Sequence, residues 1–265
     1  MSSAAHTYAP TVEPPSYNDA EALDGMANYS TPEPRESQIP NDFKFSTNVS
    51  ECDVQIRQVF LRKVYSLLCM QLLTTFLTGA VIYNNTAIKD WCLNNMWMFF
   101  VSIAGSFGFM IAAYIKSKSY PYNLLLLTGF TLCESYGVGL ATSLFDSNVV
   151  LQAVLITLIV FLGLTIFTFQ TKYDFTQWQG WASGALFALL GFGIVGMFLP
   201  YNSGMEVFYS WAGALLFSVF IVIDTQMIMK KFHPDEEVSA TIILYLDVIN
   251  LFLKVLAILS NRERN

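Results

Sequence analysis

Four ionisable side chains stand inside long apolar stretches of this chain: Glu134, Asp224, Asp247 and Lys254. Charge within an apolar medium is costly, so each such group is a functional hypothesis by default. Their spacing adds to this. The polar turn between the last two apolar blocks centres near Asp235, with Asp224 11 residues before it and Asp247 12 after it. In an antiparallel helical hairpin those two positions share one height. Glu134 lies 13 residues into a block that starts near residue 121. At 1.5 Å per residue all three acids fall near one level, roughly 15 Å deep. Two carboxylates at one height in a low dielectric cannot both stay ionised cheaply, so the Asp224–Asp247 pair should share a proton or hold a cation. Carboxylate oxygens suit a hard cation such as calcium. Three acids are few for a tight site, which favours weak binding and leak over storage. The plainer reading is a neutral aspartate hydrogen-bonded to a neighbouring helix. Asn250 shares a helical face with Asp247 and Lys254 and extends a polar stripe. Lys254, near the end of its block, is long enough to reach the far interface.

The elements that must position these groups are membrane helices. The chain is 54% hydrophobic and 13% charged, against about 25% charged in a soluble domain. Seven blocks meet the roughly 20 apolar residues that a bilayer core requires: about 64–83, 94–115, 121–145, 149–169, 179–199, 206–229 and 238–259. Short polar breaks separate them. Strands of a membrane barrel would be half as long and would alternate, so the predicted fold is all-α, a seven-transmembrane-helix bundle over residues 51–265. Lysine and arginine near the span ends set the orientation. Arg57, Arg62, Lys63, Lys116, Lys118, Lys172, Lys230 and Lys231 lie on the amino-terminal side, against Lys89, Arg262 and Arg264 on the other. This predicts a cytosolic amino terminus and a far-side carboxyl terminus. A re-entrant last segment would instead place both termini in the cytosol.

Residues 1–50 differ in kind. They are acidic and hold six of the nine prolines, and such a segment cannot bury enough apolar surface to offset the entropy of ordering. The expectation is a disordered cytosolic tail, with the first span acting as targeting signal. Pro14-Pro15-Ser16-Tyr17 fits the P-P-x-Y ligand that WW domains bind in polyproline conformation, and so a WW-domain ubiquitin ligase as partner. Asn28-Tyr29-Ser30, Asn48-Val49-Ser50 and Asn84-Asn85-Thr86 fit the glycosylation sequon, the first two on the predicted cytosolic side. Cys52, Cys69, Cys92 and Cys133 are scattered, with no C-x-x-C pair and so no disulfide framework or zinc pattern. Gly184, Gly191, Gly193, Gly196 and Gly213 in spans five and six suit close helix packing, as do Gly137 and Gly139 in span three. No phosphate-binding loop, nucleophile elbow, zinc-protease or dinucleotide motif appears. The reading is a non-enzyme with no resident cofactor. It contacts lipid, calcium and protons, and no nucleic acid.

Several segments together carry a resemblance. Arg62-Lys63-Val64-Tyr65-Ser66-Leu67-Leu68 with Gln71-Leu72-Leu73 opens span one, and Pro121-Tyr122-Asn123 leads to Phe130-Thr131 and Glu134. Asp224-Thr225-Gln226 ends span six, and Leu244 to Leu253 fills span seven. In this order the chain resembles the Bax inhibitor (transmembrane Bax-inhibitor-motif) family in its Lifeguard-like branch. The Pro-rich tail and the Pro234-Asp235-Glu236-Glu237 turn are most similar to fungal members. The resemblance implies seven helices, a cytosolic amino terminus, and calcium leak across an intracellular membrane, gated by an aspartate pair that senses pH. Asp224 and Asp247 match that pair. It also implies links to cell-death regulators and the unfolded-protein response. The membrane would be the endoplasmic reticulum first, with vacuole or mitochondrion as alternatives. Bacterial relatives latch the closed pore with an arginine near the end of span two; Lys116 and Lys118 stand there in this chain, without the guanidinium fork.

Two other classes compete with the channel reading. One is a non-conducting adaptor that binds cell-death regulators and recruits a ubiquitin ligase through its tail. The other is a seven-helix receptor or retinal protein, attractive only for Lys254.

Overall fold

In the computed structural model, residues 48–196, 198 and 203–264 are described. The tail motif Pro14, Pro15 and Tyr17, and the disorder expected of residues 1–47, lie outside them. The described chain runs through α1 (Val54–Asn84), α2 (Thr86–Asn94), α3 (Trp97–Ile115), α4 (Tyr122–Thr142), α5 (Ser147–Gln170), α6 (Gln179–Gly196), α7 (Ser203–Lys230) and α8 (Glu237–Arg264). Single 3-10 turns occur at Val49–Glu51 and Phe175–Trp178. All but α2 lie in segments long and apolar enough to cross a membrane, seven in number. The chain is an all-α integral membrane protein with a seven-helix bundle.

The departures from the expected spans have simple causes. α1 begins ten residues before its apolar block, because Arg57, Arg62 and Lys63 are good helix formers outside the apolar belt. α2 was hidden in a polar break. Asn85 caps it by accepting from the Ile88 N–H at 3.1 Å, and the helix carries Trp91 exposed on one side. α8 is a single 28-residue helix, so the re-entrant alternative for the last segment does not describe this chain. Residues 48–50, grouped with the tail by composition, are folded: Val49 is wholly buried.

α8 is the central helix. It packs most extensively on α7, and also touches α1, α3, α4 and α5. The core follows, with Ile221, Ile223, Leu244, Tyr245, Leu251 and Leu256 almost fully covered. α6 leans on α7 and leaves nearly all of its surface outside the bundle. Large apolar side chains such as Phe100, Ile159 and Phe187 face outward, as lipid contact demands. The five tryptophans are all exposed. Trp178 and Trp181 stand near the lysine-rich end and Trp91, Trp97 and Trp211 near the other, the two-belt pattern of interfacial aromatics.

Three ion pairs join elements at the lysine-rich end: Lys63–Glu237 and Lys118–Glu236 at 3.6 Å, and Lys230–Asp174 at 3.3 Å. Two of them hold the start of α8 to α1 and to the α3–α4 turn. They are partly exposed and individually weak; together they fix how the α7–α8 turn sits on its neighbours.

Candidate functional site

The α7–α8 hairpin brings Asp224 and Asp247 together. Their carboxyl groups lie within hydrogen-bonding reach of each other, and they are only 7% and 6% exposed. Two acceptors cannot bond without a hydrogen, so the close approach requires a proton between them or a cation in its place. Asp247 Oδ2 is buried with no hydrogen-bond partner, an oxygen still open to such a ligand. Tyr114, near the end of α3, stands close enough to feel the charge of both aspartates. Sequence reasoning missed it, because a tyrosine at a span end reads as an interfacial anchor.

The other predicted residues are placed differently. Glu134 is half-buried and turned to α3, where Ser106 Oγ donates to its Oε1 at 2.7 Å. Its carboxylate is thus held by α3, while α3 and α4 both pack against α8. Asn250 folds back on its own helix, donating from Nδ2 to Leu246 O at 2.8 Å. Lys116 is exposed, and Lys118 pairs with Glu236 at the surface turn. The Lys254 stem crosses Gly213 on α7, and its ammonium stands 3.8 Å from the centroid of the Tyr209 ring, a cation–π contact toward the far end.

Beside the pair runs a polar seam that hydropathy alone does not reveal. Thr75 Oγ1 donates to Gln71 O at 2.9 Å, and it also meets Tyr245 Oη at 2.8 Å and Ser135 Oγ at 3.0 Å. A hydroxyl has one hydrogen, so the Tyr245 and Ser135 hydroxyls both donate to Thr75. Gln71 Nε2 donates to Thr131 Oγ1 at 2.8 Å. The seam joins α1, α4 and α8, with Tyr245 two residues from Asp247. On α7, two residues past Asp224, buried Gln226 accepts from the Phe175 N–H and donates to Tyr173 O, both at 2.7 Å.

A family model described as Inhibitor of apoptosis-promoting Bax1 matches residues 57–264. The chain belongs to the Bax inhibitor family. Among its relatives, Bax inhibitor 1 of Schizosaccharomyces pombe is 35% identical over 97% of this chain and 96% of the relative. The Golgi anti-apoptotic protein of Vaccinia virus (strain Lister) is 39% identical over 86% and 96%. Protein lifeguard 4 of Mus musculus is 39% identical over 89% and 98%. The matched stretch in this Bax inhibitor family member holds every helix that builds the aspartate hairpin and the seam. It starts after the tail.

Proposed function

We infer that this Bax inhibitor family member is a proton-sensitive calcium leak pathway of an intracellular membrane. The observation that carries the reading is the buried, mutually facing carboxyl pair of Asp224 and Asp247. With a proton between them the pair is neutral and the helices close over it. With the proton gone, repulsion favours separation or entry of a divalent cation. Among the described residues no group of three or more His, Cys, Asp or Glu side chains gathers to hold a metal ion. Two carboxylates suit transit of calcium as cargo. Glu134, held by Ser106 of α3, would shape the pathway without setting its proton dependence. One relative is named a Golgi anti-apoptotic protein, which supports an intracellular membrane and a part in cell-death control. The endoplasmic reticulum is the compartment we favour, with a link to the unfolded-protein response.

The test is calcium flux into liposomes carrying the purified chain, measured across pH. Wild type should show a steep pH dependence near neutrality. Asp224→Asn or Asp247→Asn should flatten it, and the double variant should resemble either single one, because the pair acts as a unit. Wild-type pH profiles in both single variants would make the pair structural. A second reading, a non-conducting adaptor, draws on α6, whose spanning window is only 6% buried and so offers a helix face to another membrane protein. Its tail would recruit a ubiquitin ligase through Pro14, Pro15 and Tyr17; a tail peptide that binds no WW domain removes that part. Absence of flux at every pH favours the adaptor.

A further inference from the structure

We propose that Ser50 is a phosphorylation site whose modification releases a strap from the end of α7. The strap is Asn48 to Cys52. Val49 is wholly buried, and its N–H donates to Phe232 O at 2.8 Å. Ser50 Oγ donates to Lys230 O at 2.9 Å, while the residue itself is exposed. Lys230 closes α7, so its carbonyl is one of the last four that a helix leaves without an internal partner. The strap therefore supplies hydrogens to the carbonyl end of the helix that carries Asp224 six residues earlier.

The surroundings of Ser50 suit an acid-directed protein kinase. Glu51 and Asp53 follow the acceptor at the first and third positions. The segment lies at the lysine-rich end of the bundle, on the ATP-containing side if the cytosolic orientation holds. The kinase captures the strap when it lifts. The γ-phosphoryl group of ATP then passes to Ser50 Oγ: the bond to the ADP oxygen breaks, a new P–O bond forms, and the hydroxyl proton leaves to the kinase base. The product cannot re-dock in the same way. Ser50 Oγ has lost its hydrogen, and a group of roughly −1.5 to −2 charge faces the negative end of a helix dipole. Val49 leaves its pocket with it. The inference rests on the proposed orientation but not on ion conduction, because its readout is the docking of the strap itself.

The experiment uses full-length protein in phosphatidylcholine vesicles, treated with an acid-directed serine/threonine kinase and ATP, with the phosphate mapped by mass spectrometry. Hydrogen exchange of the Val49 amide is then compared among unmodified, phosphorylated, Ser50→Ala and Ser50→Glu chains. Phosphate should appear on Ser50 and be lost in Ser50→Ala. Exchange at Val49 should rise by about tenfold or more on phosphorylation, with Ser50→Glu in the same direction and Ser50→Ala rising less. Three outcomes overturn the proposal: no phosphate on Ser50, phosphate on Ser50 with Val49 protection unchanged, or a glycan on Asn48 in protein from cells, which would put this end on the lumenal side.

Discussion

Asp224 and Asp174 are both acidic, and their surroundings give them opposite uses. Asp174 lies in the loop before α6. There the Thr176 hydroxyl and N–H donate to its Oδ1 at 2.9 and 3.1 Å, with Lys230 alongside. Those hydrogen bonds first, and the lysine second, hold its carboxyl below the usual range. A depressed folded-state pKa gives stability that is present above the unfolded value and is lost as pH falls through the folded one. Asp174→Asn should therefore remove an acid-side contribution and leave the shape of the stability curve unchanged between about pH 5 and 8. Thermal unfolding in detergent across pH checks this; a change of slope near neutrality would contradict it. Asp174 is thus no sensor of neutral pH. Depth in the bundle was legible for Asp224 and Asp247 because a short turn makes residue counting equal height. Direction around the helix axis was not legible for Glu134. α4 carries Thr131 and Ser135 beside Glu134, and they turn to α1 while Glu134 turns to Ser106 of α3, a division that the sequence pattern does not state.

Among the elements, apolar length located the spans, but their ends were set by forces outside the apolar belt. Helix propensity carries α1 back to Val54, and a side-chain cap starts α2 within a polar break. Contacts between helices lay further from view, because lipid and protein interior demand the same residues. The α1–α4 crossing was half in view: Gly139 is a residue type suited to close packing, but nothing singled out its partner Gly79. A Cβ at Gly139 would meet the Gly79 Cα and N at 3.2 and 3.3 Å and Ile82 Cδ1 at 3.0 Å. The obstruction is mostly backbone, which cannot turn aside. A Cβ at Gly79 would meet Thr142 Oγ1 at 3.6 Å and Gly139 Cα at 3.7 Å, ordinary contact. Gly139→Ala should destabilise by about 1 to 3 kcal/mol, and Gly79→Ala should be close to neutral. Parallel melts of the two variants test it, and equal midpoints would show that the crossing can spread without cost.

At the scale of the whole molecule, orientation comes from the basic residues alone. A reporter fused to the amino terminus should be cytosolic, and Lys89, between α1 and α3, should resist protease added outside sealed microsomes. Cleavage at Lys89 from the cytosolic side would reverse the assignment. The Thr75–Ser135–Tyr245 junction has a mechanical consequence. It bolts α8 to α1 and α4 within one turn of Asp247, which would make α8 the fixed partner in the proposed leak pathway. Asp224 rides on α7, whose ties to elements other than its helix neighbours, the Gln226 clasp, the Lys230–Asp174 pair and the strap, all lie at its last turns. If the carboxyls part, the displacement belongs to Asp224. A disulfide engineered between α8 and α1 should then spare ion flux, whereas one between α7 and α8 should stop it until reduced. The opposite pattern would make α8 the moving part.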